Sequence, residues 1–162
     1  MGRHELERDT QHFFFLAMEY GYANPDRQTT PIVEMPGYKS IPFSYGDFRF
    51  LDVWMGDKVT GNSLGLTTIW WQDKPVWFMS YDGAYPKDVI PFLKRALAQN
   101  YGRGVFLGCR GPHSFIDREQ GLLYNNRVHR NHFIDFAGRE EILDLEENTV
   151  IGYHEYKGRF LI

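Results

Sequence analysis

The chain has 162 residues, 43% of them hydrophobic and 17% aromatic, with 18 basic and 21 acidic side chains and a formal net charge of -3. That length and apolar content bury a real core and exclude disorder, while the mixed charges set up no long-range field that would draw in nucleic acid or an anionic membrane. One cysteine, Cys109, excludes an internal disulfide and any multi-cysteine metal or iron–sulfur site, and no apolar run reaches the roughly 18 residues of a membrane span.

From Met1 to Leu6 the chain lacks the apolar core of a signal peptide, so a reducing cytoplasm is the expected setting. Asp9 or Thr10 is placed to cap a first helix whose apolar positions Phe13, Leu16, Ala17 and Tyr20 recur at helical spacing, with Gly21 as its stop. Residues 24–31 are polar, contain two prolines and make the best linker candidate. Strands are expected at Ile32–Met35, Ser40–Tyr45 and Phe48–Met55, then a hairpin of Leu64–Gln72 and Pro75–Asp82. In that hairpin Trp70, Trp71, Trp77 and Phe78 cannot all face inward, because neighbours in a strand point to opposite sides. One face must be covered or be sticky.

A second helix follows, capped by Asp88, with Val89, Phe92, Leu93, Ala96 and Leu97 on one face and Gly102 at its end. Further strands are expected at Val105–Cys109, His113–Arg118, Leu122–Arg130, Phe133–Asp135, Glu141–Leu145 and Thr149–Tyr156, with an apolar tail at Phe160–Ile162. Short turns between them imply largely antiparallel, bent sheets.

A pattern in the first half recurs in the second. Phe50, Asp52, Gly65, Ile69, Val76, Tyr81 and Gly83 align with Tyr124, Asn126, Gly138, Ile142, Ile151, Tyr156 and Gly158. The spacing predicts an internal duplication inside one compact domain, 1–162, with halves at about 9–85 and 86–162. The expected fold class is α+β and β-dominated, each half a helix followed by about five bent antiparallel strands. By element order alone this is analogous to an Sm-like small barrel.

The segments Phe50-X-Asp52-X-Trp54-X-Gly56, Lys74-Pro75-Val76-Trp77-Phe78-Met79-Ser80-Tyr81-Asp82-Gly83, Arg110-Gly111-Pro112 and Phe136-Ala137-Gly138-Arg139-Glu140-Glu141-Ile142 carry a resemblance through nearly the whole chain. They resemble the bacterial family of domain of unknown function 5680. The resemblance implies a bacterial cytoplasmic protein and hints at regulation. It carries over no catalytic residue. The family's Phe-X-Gly-X-Glu pattern is degraded in the first half, where Ser63, Gly65 and Thr67 stand in those places.

Four constellations bear on function. His129, His132, Asp135 and His154 are zinc-ligand types without a recognised zinc spacing, and fit a polar strand face as well. Asp52, Asp82, Asp135, Glu140 and Glu155 lie near strand ends, where two could converge for acid–base work or merely meet Arg49, Arg127 and Arg139. Cys109 near His113 has the elements of a nucleophile, but follows Phe106-Leu107-Gly108 like a buried apolar residue. Trp54, Trp70, Trp71, Trp77 and Tyr81, with Arg49 and Lys74 close in sequence, could stack bases, fill two packed sheet faces or form a dimer interface. The composite expectation is a non-enzymatic binding or regulatory module, self-associating as a homodimer, with no cofactor and no membrane partner. RNA or single-stranded nucleic acid on the aromatic face is its sharpest form. The alternative is a small metal-assisted or hydrolytic enzyme using the His129–His154 region.

Overall fold

A computed structural model describes residues 2–24 and 26–162. Helix α1 (Arg3–Tyr20) is followed by strands β1 (Thr30–Pro31), β2 (Tyr38–Tyr45), β3 (Phe48–Gly56), β4 (Asn62–Trp71) and β5 (Lys74–Ala84). After one 3-10 turn, helix α2 (Ile90–Tyr101) leads to β6 (Ser114–Asp117), β7 (Leu122–His132), β8 (Asp135–Asp144) and β9 (Thr149–Phe160). All strands join one antiparallel sheet in the order β1-β2-β3-β4-β5-β9-β8-β7-β6. The sheet is open, with β1 and β6 at its edges, so the Sm-like closed barrel is not formed. No helix among the described residues is long and apolar enough to cross a membrane.

Alternation sorts the side chains. Phe48, Phe50, Asp52 and Trp54 of β3 pair with Trp71, Ile69, Thr67 and Gly65 of β4, and this inner face continues through Trp77, Met79 and Tyr81 of β5 to Tyr156 and His154 of β9. Helix α1 lays Leu6, Phe13, Phe14, Ala17 and Met18 on that face, and α2 adds Phe92, Leu93, Ala96 and Leu97. Trp77 is fully buried at the centre. Its ring stacks on Phe133 at 5.4 Å and Phe136 at 5.5 Å, Phe14 lies 5.1 Å away, and its indole N–H donates to the Phe133 carbonyl at 3.3 Å.

Several expectations shift. Helix α1 starts at Arg3, so Asp9 does not cap it and instead accepts from Arg8, while Thr10 donates to the Leu6 carbonyl at 2.6 Å. Of the linker candidate, Pro25 lies outside the described residues and Thr30–Pro31 pairs with β2. Residues 32–35 form a turn, not a strand, with Val33 exposed. Asp88 makes no capping bond. Residues 105–109 are loop, because Gly104, Gly108 and Cys109 take positive φ and leave the extended region. The expected strands at 122–130 and 133–135 become one long β7 and the start of β8. A bulge at His129 breaks the register of that pair.

Candidate functional site

Beneath the end of α1, the inner face carries polar side chains where a core would ordinarily be apolar. Asp52, 2% exposed, accepts a hydrogen bond from Thr67 at 2.8 Å and from the Tyr81 hydroxyl at 3.0 Å. Across the β5–β9 pairing, Glu140, fully buried, accepts from the Arg110 guanidinium and from the Tyr124 hydroxyl at 2.7 Å. His154 meets Ser63 Oγ through Nε2 at 2.8 Å, and its Nδ1 lies 3.5 Å from Glu140. The signature segments therefore converge: Asp52, Tyr81, Arg110 and Glu140 come from four separate stretches and meet in one cluster.

Arg110 reaches this place from the loop after α2, and side chains hold that loop. Asn100 donates to the Arg110 carbonyl at 3.0 Å, Tyr101 to the Cys109 carbonyl at 2.9 Å, and Asn126 to the Gly111 carbonyl at 2.8 Å. The Tyr156 hydroxyl in turn donates to Asn126 Oδ1 at 2.5 Å. Gly108 has φ +58°, and a Cβ there would stand 2.6 Å from the Tyr156 oxygen, so the loop needs glycine at that position.

Burial and charge act against each other. Burial is the largest influence on Glu140 and works to raise it, but the Arg110 guanidinium and His154 together outweigh it and hold the carboxyl at about 2. Asp52 has only neutral hydroxyl donors, so burial dominates and raises it to about 6. Burial lowers His154 and raises the Cys109 thiol well above its usual value, which removes Cys109 as a nucleophile.

A pH prediction follows from Asp52. A carboxyl whose folded pKa lies above its unfolded value makes the folded state bind the proton more tightly, so its contribution weakens stability as pH rises from about 4 to about 6. Over the same interval His154, lowered on folding, contributes in the opposite direction as pH falls below its usual 6.5. The difference between native protein and Asp52→Asn isolates the first. Urea unfolding from pH 4 to 7 is expected to show the variant gaining stability relative to native as pH rises. A constant difference would contradict the assignment.

The sequence-chosen aromatic residues do not share a face. Trp77 and Tyr81 are in the core, and Trp54 and Trp71 are half-buried on the inner side, Trp54 against Tyr22 and Trp71 beside Phe13 and Phe48. Only Trp70 points outward, with the Arg49 guanidinium 4.8 Å over its ring. The proposed metal set is likewise divided. His154 is on the inner face, whereas His129, His132 and Asp135 are on the outer side, Asp135 paired with Arg130 at 3.0 Å. Among the described residues no three such side chains are grouped to hold a metal ion. Of the carboxylates, Asp82 and Glu155 face each other across β5 and β9 on the outer side, away from Asp52 and Glu140.

That outer face is a second feature, and neither helix covers it. Toward β3–β5 it presents Leu51, Val53, Leu64, Leu66, Trp70 and Phe78. Leu64 and Leu66 are 44% and 47% exposed. Toward β7–β9 it becomes charged, with Arg127, Arg130, Arg139, Lys157 and Arg159 interleaved with Asp135, Glu141 and Glu155. Phe78 faces Arg159 across β5–β9, where the two regions meet. Phe78, half-buried, was not among the aromatic residues expected on a binding face, although its alternation with Trp77 was the available signal.

Neither the comparison with curated proteins nor that with solved structures finds a match. The comparison with protein families matches residues 52–161, from the Asp52 carboxylate to the end of the last strand. The chain thus belongs to the family described as Domain of unknown function (DUF5680).

Proposed function

We propose that this protein is a non-enzymatic binding module that presents the bare outer face of its sheet to single-stranded nucleic acid. The observation that carries the reading is the juxtaposition on that face of two outward aromatic rings, Trp70 and Phe78, with Arg49, Arg159 and Lys157. Base–aromatic stacking tolerates sequence, and cations beside the rings supply phosphate contacts. Lys157 has no ion-pair partner among the described residues. The buried cluster serves as an internal clamp. Its charges are paired or bonded within the protein, and its cavity has no room for a substrate.

The same reading takes the two halves as products of one duplicated unit. What supports it is register: Phe50 faces Ile69 and Gly65 faces Tyr81 in the first half, as Tyr124 faces Ile142 and Gly138 faces Tyr156 in the second. Tyr81 and Tyr156 then face each other across the central pair of strands. Each tyrosine reaches the corresponding residue of its own half, Asp52 or Asn126.

A labelled single-stranded RNA about 12 nucleotides long, followed by fluorescence anisotropy at low and moderate salt, tests the nucleic-acid reading. Saturable binding that weakens with salt is expected. No binding, in protein shown to be folded, would overturn it. The exposed Leu64 and Leu66 favour a second copy of the chain as the other occupant, and sedimentation of the same samples distinguishes that outcome as a concentration-dependent dimer.

A further inference from the structure

The buried cluster contains a defect that its own side chains do not repair. Arg110 and His154 are 3% and 5% exposed, yet Arg110 Nε has no hydrogen-bond partner, and His154 Nδ1 has only the Glu140 carboxylate at 3.5 Å, too long for a well-formed bond. A buried donor without a partner costs about 1–3 kcal/mol, and nearly all such groups in folded proteins are satisfied. Both residues line the same niche, closed by Met18 and Tyr22 of the α1 end and walled by Asp52 and Tyr81. Its free volume is about 10 Å³.

Three properties of this niche restrict what fills it. The volume is close to that of one water and far below the several hundred Å³ of a metabolite pocket. An anion would face the Asp52 carboxylate, and a metal cation would face the Arg110 guanidinium. A neutral species that both donates and accepts avoids both penalties. The walls supply both kinds of partner: the Arg110 Nε–H donates, and the Asp52 carboxylate accepts.

We propose that the niche is a site for one internal water held between Arg110 Nε and the Asp52 carboxylate, with Tyr22 and His154 within its walls as further polar partners. The water joins two otherwise separate hydrogen-bonded groups, Asp52–Thr67–Tyr81 in the first half and Arg110–Glu140–Tyr124 in the second. It makes them one network across the seam between β5 and β9. This inference rests on the cluster alone and is independent of what the outer face binds.

A crystal structure of the native protein at about 1.5 Å resolution tests it. The expected result is one fully occupied water peak within hydrogen-bond distance of Arg110 Nε and of the Asp52 carboxylate. An empty niche overturns the proposal. So does a side chain of the protein turned in to satisfy Arg110 Nε directly, or a peak whose contacts and coordination identify an ion. In the Asp52→Leu variant, solved in the same way, the peak is expected to be lost, since its acceptor is gone and the leucine fills the space. A peak unchanged in that variant would overturn the bridge between the two hydrogen-bonded groups.

Discussion

Arg110→Met is expected to destabilise the protein by about 3–5 kcal/mol, read as a lowered urea midpoint at pH 7. The reason is not the strength of the Arg110–Glu140 attraction alone. Removing the guanidinium leaves the Glu140 carboxylate fully buried, with Tyr124 as its remaining well-formed donor. Part of the loss is relieved as Glu140, no longer held at about 2, takes up a proton. The variant should therefore lose less on acidification than native protein does. In native protein, Glu140 contributes stability above its unfolded value of about 4.5 that is lost as pH falls toward about 2. Arg110→Met combined with Glu140→Leu should cost less than the sum of the single changes, because no unpaired charge remains. A loss below about 1 kcal/mol for the single variant would mean that the pair does not anchor the loop after α2 to the inner face of the sheet.

Trp77→Ala is expected to cost about 3–5 kcal/mol, since it empties the centre of the core among Phe14, Phe133 and Phe136 and leaves the Phe133 carbonyl without its indole donor. The prediction separates two roles that composition cannot. A tryptophan that binds ligand alters affinity with little effect on stability, whereas Trp77 should alter stability with little effect on affinity at a temperature where the variant stays folded. An unfolding midpoint close to native would contradict its placement at the core.

The hairpin was the most legible part of the fold. Two adjacent aromatic pairs in one hairpin required two faces, and the structure sends Trp71 and Trp77 inward and Trp70 outward with Phe78. Less legible was the start of α1, because Arg3–Arg8 contributes only Leu6 to the core and shows no apolar period. The loop at Val105–Cys109 reads as a strand by apolar content. It departs from one because tertiary partners, such as the Asn131 side chain on the Gly108 N–H at 2.8 Å, replace the ladder bonds a strand would need.

The cluster was visible only in pieces. Asp52 and Glu140 were picked out as carboxylates near strand ends and His154 as a metal-ligand type, while Arg110 entered only through the segment Arg110-Gly111-Pro112. Nothing local in Arg110-Gly111-Pro112 states that the guanidinium turns back under the sheet. The available signal was its setting, a cation directly after the apolar run Phe106-Leu107-Gly108-Cys109. The grouping of the three outer ligand-type residues with His154 failed for the opposite reason. Strand parity was uncertain around the His129 bulge, and one residue of slip moves a side chain to the other face.

Titrating the labelled RNA with native protein and with the Trp70→Ala/Phe78→Ala double variant shows whether the bare face binds single-stranded nucleic acid. Both rings are half-buried on the outer face and outside the core, so the titration is run at a temperature where unfolding curves show the variant fully folded. The expected result is at least about a fivefold loss of affinity, what removing one stacked base contact of about 1 kcal/mol gives. Equal affinity of the two folded proteins would contradict it.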